Sequence, residues 1–252
     1  MNKEVAEMRS YLSLCVGVLA AVVLIAAGAQ ADGVVQSANV KFIWNIQIPG
    51  MPAIPLDNYT MQGGESFRWQ DIGIRPEYQP LAGVYWTAMG NSSITVNQNA
   101  VNANITIVVT ILPGGEQIFG YSIPIALEFE VYDGIADGNS VEGLCLLNPP
   151  GSHFDFACSD GLILYFDLSP QFEEVFLASL GLTREGLTLA FAGELGFTWE
   201  GITVSVSDND GDGLIDGLTG EVAHLSKLVI VKEEAVTAVE PSSWAAIKTL
   251  YR

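Results

Sequence analysis

The stretch SVSDNDGDGLIDG, residues 205–217, carries the densest set of metal-ligating side chains in the sequence. Asp208, Asp210 and Asp212 alternate, Gly213 follows, and Asp216 comes next. Alternate positions of a tight loop point to one side, so these carboxylates would repel one another unless a cation sat among them. A hard ion of Ca2+ size takes about six to eight oxygens, which suits this donor set. The backbone carbonyl of Leu214 falls where such loops supply a main-chain ligand, and Glu221 is the nearest acid downstream that could complete the shell. The expected cofactor is therefore calcium, in a structural role. With 2 histidines in the whole chain, an imidazole-built catalytic metal centre is not indicated.

The D-x-D-x-D-G-x-x-D spacing of Asp208–Asp216 resembles the calcium loops of EF-hands, dockerins and thrombospondin type 3 repeats, in the setting of a secreted bacterial surface protein. The resemblance covers the loop alone, and three departures shape what it implies. Thr219 stands where an EF-hand places its bidentate Glu. The flanks GITVSV and LSKLVIV read as strands where an EF-hand has helices, and no second copy of the loop follows. The implication is one calcium loop joining two strands, with a Kd of about 10⁻⁴–10⁻³ M as in other extracellular modules.

A second candidate lies in EFEVYDG, where Glu128 and Glu130 share a strand face and Asp133 follows. Two carboxylates on one sheet can serve a glycosidase as general acid and nucleophile or base. The order partly resembles the acidic strand of laminarinase-like enzymes, whose fuller E-x-D-x-x-E pattern is not met. The plainer reading is the polar outer face of a half-buried strand. Trp69, Tyr78, Tyr85, Trp86 and Trp199 could stack on sugar rings, although large aromatics in β-sandwiches mostly fill the core. No G-x-S-x-G, Walker-type or H-E-x-x-H motif occurs, and His153 and His224 lack an evident nucleophile partner in sequence. A non-enzymatic protein is expected. A carbohydrate-binding module or a glycan hydrolase using Glu128 and Glu130 is the alternative. Sequons begin at Asn58, Asn91 and Asn104 and matter only in a glycosylating host.

The ends of the chain set the compartment. Lys3 and Arg9 precede an apolar run over 11–28, and Ala29-Gln30-Ala31 gives a small-x-small cleavage pattern, so residues 1–31 read as a secretory signal. An uncleaved anchor is the competing reading. Cys15 would leave with the signal. Cys145 and Cys158 would remain, each sharing strand parity with apolar neighbours, and are expected to form a disulfide outside the cell. Such a bridge would contribute about 3 kcal/mol. At the other end, residues 235–252 read as a linker followed by an amphipathic tail with Trp244, Ile247 and Leu250 at helical spacing. That tail resembles the Trp-x-x-Ile-Lys-x-x-Tyr-Arg endings of some secreted bacterial proteins, which implies a sorting tag. A terminal helix docked on the domain is the other reading. The net charge of −19 argues against nucleic acid and anionic lipid as partners. Self-association and surface glycans remain as partners, at the cell surface or beyond it.

The elements that must hold these residues are strands. VKFIWNIQI, VNANITIVVTI and FGYSIPIALEFEV each alternate apolar and polar residues, and PGGEQ turns the second into the third. Further strands are expected over 83–89, 92–98, 141–147, 162–168, 187–198, 201–207 and 225–232, with 49–80, rich in Pro and Gly, read as loop with short strands. One helix is expected after Ser169, with Pro170 at its first position and Gly181 at its end. The predicted fold is an all-β antiparallel sandwich over 32–234, of jelly-roll or immunoglobulin-like type, with one short helix. Little Lys guards its strand edges, which invites pairing between copies.

Overall fold

A computed structural model describes residues 38–237, apart from Ser159 and Leu195. The expected signal over 1–31 and the tail residues Trp244–Arg252 lie outside the described residues.

The fold is all-β. Fourteen strands are described, and two sheets face each other across one core. The larger sheet has the order β10(Phe197–Thr198), β9(Leu187–Ala192), β14(Leu228–Lys232), β6(Tyr121–Asp133), β5(Ile105–Ile118), β1(Asn39–Ile46), β2(Ile54–Gln62). The smaller has the order β11(Ile202–Ser207), β12(Gly217–Val222), β8(Leu162–Asp167), β4(Ser93–Val96), β3(Ser66–Arg68). A two-stranded ribbon pairs β13(His224–Leu225) with β7(Phe154–Asp155). Pairing is antiparallel except between β1 and β5, which run parallel because the chain passes through the smaller sheet between them.

Alternation produces this arrangement. Phe42 and Trp44 of β1, Ile107 and Val109 of β5, and Leu127 of β6 are buried against Ile94, Leu164 and Leu218 of the other sheet. Trp44 packs 4.8 Å from Trp69, which in turn stacks on Trp86. Each such side chain stabilises the fold by about 1.5–3 kcal/mol relative to exposure. A register shift between Pro113 and Glu116 breaks the alternation, so Ile123 joins a second apolar cluster with Val229 and Val231 instead of the main core.

Three local expectations change. Residues 83–89 are not a strand. Helix α1(Gln79–Ala88) carries Pro80 in its first turn, and Ala82, Trp86 and Met89 bury one face at helical spacing. Residues 141–147 are an irregular excursion whose Val141 and Leu144 cover Ile43, Val108 and Ala136 on the outer face of the larger sheet. Within 49–80, β2 is a nine-residue strand. The helix expected after Ser169 forms over 170–180 (α2), with the Ser169 hydroxyl accepting from the Phe172 N–H at 3.3 Å and Gly181 left-handed at its end. Residues 235–237, expected in the linker, belong to α3(Glu233–Thr237), where Ala235 and Val236 are buried in the second cluster. No helix among the described residues is long and apolar enough to cross a membrane.

Candidate functional site

Two regions gather the candidate residues. The first is the hairpin loop between β11 and β12, closed by Ser207 opposite Gly217. Its carboxylates fold the loop on themselves. Asp208 accepts the N–H groups of Gly211 at 2.7 Å and Gly213 at 3.0 Å, and Asp210 accepts that of Asp212 at 3.1 Å. Asp212 accepts from Leu214 at 2.8 Å, and Asp216 accepts from Asn209 at 2.7 Å. Gly211 and Gly213 have φ of 77° and 86°, a left-handed conformation that side-chain-bearing residues avoid. Asp208, Asp210 and Asp216 each bring one oxygen within 4.8 Å of the others.

Two of the other expected ligands, Asp212 and Glu221, stand apart. Asp212 is not part of that convergence, its carboxylate being turned to the Leu214 N–H. Glu221 is corrected. It lies on β12 opposite Thr203 and Ile163, about 14 Å up the strand from Gly217 at the ordinary rise per residue, too far to complete a shell in the loop. A group not foreseen from the sequence enters instead. The Arg184 guanidinium, 11% exposed, donates to Asp216 at 2.8 Å and to Glu173 at 3.1 Å. It ties the loop to α2 and neutralises one of the carboxylates an ion would use. Sequence spacing could not show this, because Arg184 is distant in the chain.

The second region is a cleft of about 860 Å3 beside the start of β14. It exists because β14 pairs with β6 only as far as Leu228 and Leu127. Beyond that point the freed edge of β6 is satisfied otherwise. The buried Asn148 side chain accepts from the Val131 N–H at 2.6 Å and donates to the Phe129 carbonyl at 2.9 Å. This pins the 146–153 segment across the gap. Both histidines of the chain line the opening, their ring centroids 4.8 Å apart. His153 Nε2 lies 3.3 Å from Asp155, His224 Nε2 lies 3.1 Å from the Glu200 carbonyl, and the His224 ring stacks on Phe191 at 4.2 Å.

Glu128 and Glu130 also line this cleft, but neither is poised as an acid–base pair. Glu128 and Glu116 hold the Lys227 ammonium at 3.1 Å and 2.6 Å. Burial alone would lower the Lys227 pKa, and these two carboxylates outweigh it and raise it, keeping the amine charged. Glu130 accepts the Tyr132 hydroxyl at 3.0 Å. Burial, then that hydrogen bond, push the Tyr132 phenol up. Asp133 accepts the Cys145 N–H at 2.5 Å and so serves the backbone.

The aromatic residues do not form a platform. Trp69 and Trp86 are buried, Tyr85 packs on Phe176, and Tyr78 and Trp199 lie half-buried against apolar clusters. The disulfide is also corrected. Cys145 and Cys158 are both free. The parity argument required 141–147 to be a strand, whereas Cys145 is exposed on the excursion that covers the outer face. Cys158 is half-buried, and burial followed by the charge of Asp160 pushes its thiol up. Comparisons with protein-family models, with curated proteins and with solved structures found no match to this chain.

Proposed function

We propose that this chain is a secreted, calcium-stabilised β-sandwich with a structural, adhesive or assembly role at or beyond the cell surface. One observation carries the reading: the carboxylates of Asp208, Asp210 and Asp216 approach within 4.8 Å at the tip of an exposed hairpin. Three converging acids offer part of the oxygen shell that Ca2+ takes, and solvent supplies the rest. The ion's chemistry there is electrostatic. It would cancel the repulsion within the loop and fix the ends of β11 and β12. The Leu168 N–H bonded to the Asp216 carbonyl and the Arg184–Asp216 pair would pass that order to β8 and α2.

An assembly role draws support from the sheet edges. The outer strands β3 and β10 are only 3 and 2 residues long, and β2 carries Pro55 and Asp57. The remaining edge, β11, has the uncharged sequence ITVSVS, with Val206 59% exposed. Strand edges without charge or proline are the ones that pair with other chains. The alternative, a glycan-binding or glycan-hydrolysing protein using Glu128 and Glu130, has less support. Those carboxylates are held by Lys227 and Tyr132, and the aromatics it needs pack inward.

The test is calorimetric titration of chelator-stripped protein with CaCl2, paired with sedimentation at rising protein concentration. One saturable site in the range of about 0.1–1 mM is expected, together with concentration-dependent association that Val206→Lys abolishes. A flat titration removes the metal, and a monomer at all concentrations removes assembly.

A further inference from the structure

A groove of about 410 Å3 opens where the two sheets part at one side of the sandwich. Its cause is the shortness of β10, which pairs with β9 only at Phe191 and Ala192. Among the described residues no strand pairs with β9 on that side from Leu187 to Ala190, and β11 is the edge of the facing sheet. The groove therefore runs between Leu187 and Thr188 of one sheet and Ile202, Val204 and Val206 of the other, with Trp199 in its lining. Alternation turns those three β11 side chains to one face. Along that face Ile202 is buried, Val204 is half-buried and Val206 is 59% exposed. Apolar surface left in water at the mouth of a core is stabilised by an apolar cover.

The chain itself supplies a cover. Glu233, the first residue of α3, lines the groove, and its N–H donates to the Gly186 carbonyl at 2.8 Å. From there α3 rises about 6 Å to Thr237. Its Ala235 and Val236 are fixed in the second apolar cluster. Residues 238–252, outside the described residues, thus leave the fold next to the groove. From Thr237 to Trp244 the chain reaches up to about 23 Å, well beyond the way back to Glu233. In 244–252, Trp244, Ile247 and Leu250 recur at a spacing that puts them on one side of a helix. The charges of that stretch are Lys248 and Arg252, with no acid, in a chain of net charge −19. The groove has the matching pattern, an apolar lining whose one charged side chain is Glu233. A tether this short gives an effective concentration in the millimolar range, so a weak contact suffices.

We infer that residues 244–252 dock in this groove of the same molecule, with Trp244, Ile247 and Leu250 against Trp199, Val204 and Val206. The segment covers the inward face of β11 and caps the open side of the sandwich from within. The inference requires neither calcium in the loop nor association between copies.

Tryptophan provides the test. The chain has 5 tryptophans, of which Trp199 lines the groove and Trp244 lies in the segment, so their signals report both sides of the contact. The purified full chain is labelled with 5-fluorotryptophan, and Trp199→Phe and Trp244→Phe assign the two fluorine signals. The Trp244 signal is expected away from that of a synthetic 244–252 peptide, and unchanged on dilution. Ile247→Ser with Leu250→Ser is expected to move it to the peptide position and to shift Trp199. Val206→Lys, on the groove side, is expected to do the same. The signals of the buried Trp44, Trp69 and Trp86 should stay in place, showing in the same spectrum that the core is intact. Should Val206→Lys disturb them, the double variant decides, since its substitutions lie outside that core. A wild-type Trp244 signal at the peptide position overturns the inference. So does one that moves there on dilution, which marks a second copy as the occupant, or a Trp199 signal that ignores the double variant, which marks another seat. Association between copies is read separately, by sedimentation.

Discussion

The β11–β12 loop and the cleft beside β14 both collect carboxylates, and they dispose of the repulsion differently. In the loop three of the four acids converge, and all four fold back on nearby main-chain N–H groups. In the cleft they come from separate strands and loops, and one lysine ties the Glu128 carboxylate to that of Glu116 outside it. Convergence creates a point of high negative potential suited to a small hard ion. Distribution leaves no single point at which the carboxylates meet. The contrast shows that counting acidic residues says little about a partner until their separation is known.

Perturbations should affect the two regions separately. The largest effect is expected at Gly201, in the cleft wall. Its φ is 78°, and an added Cβ would lie 2.3 Å from Cδ2 of His224. Gly201→Ala combines left-handed strain with a clash and should cost about 2–4 kcal/mol in chemical denaturation, while displacing the His224 resonance. Calcium stabilisation of the loop should persist in that variant. Next comes Arg184→Met, which strands Asp216 and Glu173. The pair is partly exposed, so the cost should be about 2 kcal/mol, below that of a fully buried pair. The same variant removes a positive charge beside the loop and should bind calcium more tightly in calorimetry, leaving the cleft unchanged. A smaller effect concerns the thiols. Burial and Asp160 raise the Cys158 pKa, so it holds less thiolate at mildly alkaline pH. Alkylation followed by mass spectrometry should modify the exposed Cys145 first, and no disulfide should be found in the purified protein.

The loop was legible in the sequence because its parts are adjacent: the Asp208–Asp216 ladder and its glycines are local. The pairing of β5 with β6 was legible for the same reason, since alternation is a short-range signal, but the turn was misplaced: PGGEQ lies inside β5 as a bulge, and the chain reverses at Phe119 and Gly120, both with positive φ. The cleft was not, because the 146–155 segment, the β9–β10 loop and His224 meet only once β14 stops short of the end of β6. Arg184 was invisible beside Asp216 on the same ground. Around 83–89, Val84, Tyr85 and Trp86 gave a strand-like signal that the helical spacing of Ala82, Trp86 and Met89 overrode. At 141–147, apolar residues that looked like a strand face instead cap the outside of a sheet, and the disulfide inferred from that strand went with it.

The central claim is that calcium held by Asp208, Asp210 and Asp216 stabilises the sandwich. The most direct test is scanning calorimetry of the wild-type protein and of Asp210→Asn, each in 10 mM CaCl2 and in chelator. The account predicts a calcium-dependent rise in Tm of about 3–10 °C for the wild type, given millimolar-to-submillimolar affinity, and little or none for the variant. Identical melting of the wild type with calcium and with chelator would contradict it.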